Sequence, residues 1–117
     1  MAAPNIVGVT TITGKTAVLA ATTVATAIVA NPAASGKVFK INALYVSNVD
    51  STNAADITVD LYRSATAYRI ASTIAITSDA SLDVLTKSLY LEEGDSLRLT
   101  ASADGDLQAV CSYEELS

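Results

Sequence analysis

A hydrophobic period of two runs through residues 37–63, and it constrains the fold of this chain more than any other feature of the sequence. The apolar positions of one parity are Phe39, Ile41, Ala43 and Tyr45 in the first half and Ile57, Val59 and Leu61 in the second. The alternation is cleaner in the second half, because Leu44 and Val46 lie on the other parity of the first half. Side chains on a β-strand alternate between its two faces, so this period and the β-branched residues predict two strands. Residues 49–55 are mostly of types that bond to their own backbone, and we therefore expect a β-hairpin with a long loop.

Alternating runs fill the rest of the chain, with turn residues between them about every ten positions. We expect further strands within residues 5–13, 16–21, 24–30, 68–76, 82–91, 97–101 and 107–116. Turns are expected at Gly14-Lys15, around Gly94 and at the Asp-Gly pair 104–105, the last two as hairpin signals. No segment carries the apolar stripe of a helix, and parallel sheets need helical crossovers. We therefore predict an all-β protein, an antiparallel β-sandwich of about eight or nine strands, either jelly-roll or immunoglobulin-like.

The chain of 117 residues is expected to form one domain with a sizeable core. Residues 1–14 are predicted to be an N-terminal strand or arm, and residues 15–117 a single β-sandwich domain. The alternation predicts that the following side chains are buried: Ile41, Val59, Leu61, Ile74, Leu97 and Leu99. Cys111, the one cysteine, lies on the apolar parity of the last run, and we expect a buried structural thiol.

Half of the residues are hydrophobic and only 16% are charged, which is unusually apolar for a solitary domain of this size. One explanation is that small residues fill a thin sandwich. The explanation we favour is that other subunits cover part of the surface, since obligate interfaces resemble a protein core. The seven basic residues are scattered and the net charge is −5, which argues against binding to nucleic acid or to an anionic membrane.

Residues 1–14 carry no charge before Lys15 and include Ile6, Val7, Val9 and Ile12. Flexible tails are normally polar, because apolar segments are costly to keep in water. We therefore predict that these four residues form an interface, either lying on a neighbouring subunit or adding a strand to an open sheet edge. The segment lacks the basic region of a secretory signal, and residues 16–36 are too polar for a membrane-spanning helix, so we expect a soluble protein.

The sequence offers no set of residues typical of a catalytic site. Histidine is absent, which removes Ser-His-Asp and Cys-His sites and most catalytic zinc sites. The five glycines form no phosphate-binding motif, and the paired acidic residues fall at expected turns, where they are ordinarily solvated. Asp50, Asn53 and Asp56 supply oxygen atoms but lack the spacing of an EF-hand calcium loop. We therefore expect no enzymatic activity, no cofactor and no bound metal.

Two stretches of the sequence resemble small structural proteins of tailed phages, particularly of marine cyanophages. They are NPAASGKVFKINALYVSNVDSTNAADITVDLYR and IASTIAITSDASLDVLTKSLYLEEGDSLRLTASADGDLQAVCSYEEL. The shared order is a Gly-Lys entry, a strand that ends in Asn, a Thr/Asn/Ala loop and an alternating strand. An EEGDSLRLTAS-like hairpin and a last strand with a tyrosine follow.

The resemblance implies a non-enzymatic structural subunit of a virion, made in the host cytoplasm and bound to a major capsid protein or to neck or tail proteins. Head decoration is the favoured position, and the implied assembly is a homo-oligomer, with a trimer favoured. The alternative is a carbohydrate- or receptor-binding β-sandwich module on a phage particle. Such modules usually present clustered aromatic residues, whereas the five tyrosines are dispersed along separate predicted strands and tryptophan is absent.

Overall fold

The computed structural model describes residues 6–117, which form two antiparallel sheets packed face to face. A 3-10 turn at Ile6–Gly8 precedes nine strands. The strands are β1 (Ile12–Ala20), β2 (Thr26–Ala30), β3 (Val38–Asn48), β4 (Ala55–Arg63), β5 (Thr66–Ile76), β6 (Ser81–Asp83), β7 (Leu89–Leu91), β8 (Ser96–Ala101) and β9 (Leu107–Leu116). The predicted all-β, antiparallel β-sandwich is confirmed.

The order of the strands is that of a jelly roll. One sheet runs β1-β9-β3-β6, with β7 also paired to β3, and the other runs β2-β8-β4-β5. Successive strands therefore mostly change sheets, as in the double-sheet jelly roll. In an immunoglobulin-type sandwich the first two strands are neighbours in one sheet, whereas here β1 and β2 lie in different sheets.

The predicted hairpin over residues 37–63 is wrong, although both of its strands are present. β3 pairs with β9, β6 and β7, while β4 pairs with β5 and β8, so the loop between β3 and β4 crosses from one sheet to the other. The turns around Gly94 and Gly105 also join strands of different sheets. Both glycines have positive φ, so the predicted turns are present and only the partner strands differ.

The turn expected at Gly14-Lys15 is also wrong. Both residues lie inside β1, where Gly14 pairs with Glu114 and Lys15 pairs with Tyr113 on β9. The uncharged residues 16–36 form the end of β1, the whole of β2 and their connections. Within residues 6–117, no helix is long and apolar enough to cross a membrane.

The inner faces of the two sheets form one hydrophobic core. The predicted core residues Ile41, Val59, Leu97 and Leu99 are fully buried, and so is Cys111. Burial raises the pKa of the Cys111 thiol to about 11, so it is protonated and inert at neutral pH. The remaining two predictions are wrong: Leu61 is only half-buried against the core, and Ile74 is 40% exposed because its strand β5 lies at the edge of the sheet.

Two buried asparagines tie the sheets together at the ends of strands. The side-chain amide of Asn31, after β2, donates to the carbonyls of Lys37 and Leu91 at 2.9 and 3.0 Å. The amide of Asn48, at the end of β3, donates to the carbonyls of Asn53 and Ile76 at 2.9 Å each. Each amide therefore satisfies backbone carbonyls where the chain passes from one sheet to the other. At these places the hydrogen bonds of a β-ladder are not available.

The tightest hairpin lies where the sequence shows no turn signal, between β4 and β5. Arg63 pairs with Thr66, so the loop contains only Ser64 and Ala65. Both have positive φ, at 52° and 59°, which is the backbone of a type I′ turn. Neither residue favours this conformation, since a Cβ makes left-handed backbone costly.

Replacing Ser64-Ala65 with Asn-Gly is expected to stabilise the fold by about 1–2 kcal/mol, because Asn and Gly adopt the left-handed conformation at little cost. Urea denaturation measures the change. Ala67→Gly is the control: Ala67 lies in β5 and its φ is not positive, so this substitution is expected to destabilise the protein by roughly 0.5–1 kcal/mol. A destabilised Asn-Gly variant would contradict the turn assignment.

Candidate assembly interface

The structure places the four predicted interface residues in and just after a 3-10 turn and at the start of β1. Ile6 and Val7 lie in the 3-10 turn and are 50% and 90% exposed, and Val9 is half-buried just after it. Ile12 is the first residue of β1 and is 61% exposed. The first five residues of the predicted arm lie outside the described part of the chain. The four residues are thus contiguous with β1, and their role at an interface stays a prediction.

β1 is an edge strand with a long and regular unpaired side. It pairs with β9 over nine consecutive residues, from Ile12↔Leu116 to Ala20↔Gln108, without a shift in register. Within residues 6–117, β9 is the strand that pairs with β1, and no other does. An exposed, regular edge of this kind presents a row of free N–H and C=O groups to a further strand.

The hydrogen bonds just before and just after β1 show which of its backbone groups are free. Thr11 and Ser117 exchange both bonds, at 3.0 Å each, and Ala21 donates to Leu107 at 2.9 Å. Hydrogen-bonded pairs alternate along an antiparallel ladder, so the odd-numbered residues of β1 bond to β9. The even-numbered residues direct their N–H and C=O groups to the open side; they are Ile12, Gly14, Thr16, Val18 and Ala20.

The other edges of the sandwich are short or irregular. β5 is long, but its pairing with β4 shifts register twice, and Thr73 in it has a positive φ of 54°. β2 has five residues and a register shift, and β6 and β7 have three residues each. Bulges and shortness protect sheet edges from further pairing. Among the described edges, β1 alone combines length with regularity.

The single charge on β1 is held in an ion pair. Lys15 Nζ donates to Glu115 Oε2 at 2.8 Å, and Lys37 Nζ donates to Glu115 Oε1 at 3.2 Å. The hydrogen bond from Lys15 is the main cause that lowers the pKa of Glu115, and the same bond raises the pKa of Lys15. Charged side chains normally discourage pairing at an edge. Here the ion pair weakens that protection.

An apolar row crosses the outer face of the sheet next to this edge. Val18 pairs with Val110 on β9, and Val110 pairs with Tyr45 on β3. The three side chains are 74%, 41% and 48% exposed. The sequence does not reveal this row, because Val18 and Val110 are far apart along the chain and Tyr45 shares the apolar parity of its run. Only the register of β1, β9 and β3 brings them together.

Across residues 6–117, neither a metal-binding group of side chains nor an unpartnered buried polar atom suggests a ligand site elsewhere. Within residues 6–117, no three acidic or cysteine side chains are grouped to hold a metal ion. The Asp50 carboxylate accepts hydrogen bonds from the amides of Thr52 and Asn53, whereas Asp56 lies in β4. A groove of about 470 Å³ between β2 and the β3–β9 pair is lined by Phe39 and Tyr113, among others. In the described part of the chain, every buried side-chain polar atom already has a hydrogen-bond partner, so none is left to bind a ligand.

The exposed tyrosines do not form a stacking platform. Tyr45 on β3 pairs with Asp83, and Tyr90 on β7 pairs with Lys40, so a bulge and several residues of β3 separate them. Tyr68 lies on β5 in the other sheet. A carbohydrate platform needs rings close together on one surface. The geometry therefore does not favour the alternative of a carbohydrate-binding module.

Comparison with known proteins gives a likeness at the level of the fold. A solved structure of a Bacillus endospore appendage, described as one of a novel family of disulfide-linked pili, superposes with a TM-score of 0.54 at 18% sequence identity. The match covers 92% of this chain and 88% of that chain. No protein-family model and no curated protein sequence matches the chain. The likeness shows that the two proteins share a β-sandwich fold.

Replacing Glu115 with Gln is expected to lower stability at neutral pH, because it removes the anion that binds Lys15 and Lys37. The pKa of Glu115 is lowered in the folded protein. Its contribution is therefore present above the unfolded pKa of about 4.3 and is lost as the pH falls through the lowered value. Urea denaturation across this range should show the variant and the native protein converging in acid.

Glu114→Gln is the matched control, since it removes the same charge from the neighbouring residue. The ion pairs of residues 6–117 do not include Glu114. The free energy of unfolding of this variant should therefore fall in acid as it does in the native protein, because Glu115 is still present. Equal losses of stability at neutral pH in both variants would contradict the role of the Glu115 bridge.

Proposed function

We propose that this chain is a non-enzymatic structural subunit that assembles with its neighbours by strand addition at the β1 edge. The observation that carries the proposal is the unbroken, charge-compensated edge of nine residues. Strand addition uses main-chain hydrogen bonds for affinity and alternate side chains for specificity. Ile12 begins the same edge, and the exposed Ile6 and Val7 in the preceding 3-10 turn would enlarge the apolar surface that a neighbour covers.

The particle we propose is a tailed-phage virion, in which this subunit decorates the head or belongs to the neck or tail. The support is the resemblance of residues 24–116 to small phage structural proteins, together with the apolar composition. If the proposal is correct, mass spectrometry of purified particles will find this chain in a fixed ratio to the major capsid protein. Its absence from particles would contradict the virion assignment and leave only the proposal that the chain assembles by strand addition.

The fold match to a pilus protein is compatible with self-assembly, but covalent linkage does not transfer to this chain. The related fold belongs to disulfide-linked pili, whereas this chain has the single Cys111, which is fully buried in the core. A buried thiol with a raised pKa does not exchange with another chain in the folded state. Assembly here is therefore proposed to be non-covalent.

Thr16→Pro tests the proposed edge. Proline lacks an N–H, and the N–H of Thr16 faces the open side of β1, so the substitution removes an edge donor without removing a bond to β9. We expect the native protein to be oligomeric by light scattering and Thr16→Pro to be monomeric at the same concentration. Thr16→Val keeps the N–H and serves as the control, which should remain oligomeric.

The circular dichroism spectra of the three proteins should agree, because β1 remains paired with β9. A monomeric native protein at all accessible concentrations, or an unchanged mass for Thr16→Pro, would contradict the proposal. Deleting residues 1–9, which leaves β1 whole, measures the added contribution of Ile6, Val7 and Val9. We expect this deletion to weaken the association and to preserve the fold.

A further inference from the structure

We propose that the strand that adds to β1 is β1 of a second copy. The two strands would run antiparallel, related by a two-fold axis that passes between their Thr16 residues. This inference rests on the proposed function and names the partner of the same edge. The pairing would join the β1-β9-β3 sheets of the two copies into one continuous sheet. A two-fold contact requires a surface that is complementary to itself, and β1 meets that requirement residue by residue.

The free backbone groups match in this register. The outward-facing residues are Ile12, Gly14, Thr16, Val18 and Ala20, so they are symmetric about Thr16. Antiparallel pairing about that centre places each of the five opposite another member of the set. Every facing pair then exchanges two hydrogen bonds, about ten in all. No outward group of β1 is left without a partner.

The side chains on the outer face also match in this register, large opposite small. Val18, which is 74% exposed, faces Gly14 of the second copy, where the space beside the glycine is open. Ile12, which is 61% exposed, faces Ala20 of the second copy. Thr16 faces Thr16, a cross-strand pair that stabilises antiparallel sheets. Each of the two large exposed hydrophobic side chains of β1 thereby faces a small residue of the second copy.

The charges select the same register. With the axis at Thr16, Lys15 faces Ala17 of the second copy, and each Lys15 keeps its own Glu115 at 2.8 Å. Moving the axis to Lys15 would place two like charges directly opposite each other, which is destabilising. Moving it to Ala17 would leave Ile12 beyond the end of the second copy's strand. The register centred on Thr16 keeps Ile12 paired and moves the two Lys15 residues from directly opposite positions to diagonal ones, about 7–8 Å apart.

The remaining edges are poorer partners for β1. β5 changes register twice against its own neighbour, and β2, β6 and β7 are at most five residues long. An unbroken ladder of nine residues needs an equally regular strand, and β1 is the one such edge among residues 6–117.

Disulfide capture tests the register. Thr16→Cys places two thiols on the axis with Cα atoms about 5.5 Å apart, within the range that a disulfide spans. Ala20→Cys is the control: the two substituted positions would lie roughly 27 Å apart, about eight residues along the strand. We expect Thr16→Cys to form a disulfide-linked dimer under mild oxidation at least about tenfold faster than Ala20→Cys. The buried Cys111 can stay in place.

A mixture of Gly14→Cys and Val18→Cys proteins provides a second measurement, since these positions face each other across the axis. The mixture should form the mixed dimer in preference to either homodimer. A native protein that is oligomeric by light scattering, with Thr16→Cys and Ala20→Cys reacting equally slowly, would overturn the two-fold register and leave the proposed self-assembly standing. A native protein that is monomeric throughout would overturn both.

Discussion

The pairing of β9 with β1 is the constraint on which the rest of the structure depends. β9 lies between β1 and β3 and pairs with both, so one ten-residue strand holds the centre of its sheet. Its bonds to β1 use odd-numbered residues, from Thr11 to Ala21. Because antiparallel bonds alternate, the same bonds direct the even-numbered amides of β1 outward. The pairing that holds β1 in its sheet therefore also determines which backbone groups the β1 edge presents to a neighbour.

An edge of this kind is a liability for a solitary protein. Natural sheets protect their edges with charges, bulges or short strands, and the β5 and β2 edges of this sandwich show such protection. β1 has one lysine, and it forms an ion pair with Glu115, which also binds Lys37. Val18, Val110 and Tyr45 extend the apolar surface across the adjoining face. A subunit that is buried in an assembly accounts for all of these features, and for the apolar composition as well.

The sequence predicted the strands better than their arrangement. Alternation is local, so Val38–Asn48 and the strand that contains Ile57 and Val59 were located correctly. Turn residues such as Gly94 specify a reversal of the chain, and they do not specify which sheet the next strand joins. Ile6 and Ile12 could be proposed as interface residues from the missing charge, and their role at an interface stays a prediction. Thr16 and Val18 could not, because their outward direction depends on which side of β1 is taken by a strand at the far end of the chain.

Native-state hydrogen exchange, measured residue by residue at low and high protein concentration, tests the open β1 edge most directly. The amides of Lys15 and Ala17 bond to β9 and should be protected at both concentrations. Within residues 6–117 of one copy, no strand pairs with the amides of Gly14, Thr16 and Val18, so they should exchange rapidly when dilute and become protected as the protein associates. Association that leaves these three amides exchanging rapidly would contradict strand addition at β1.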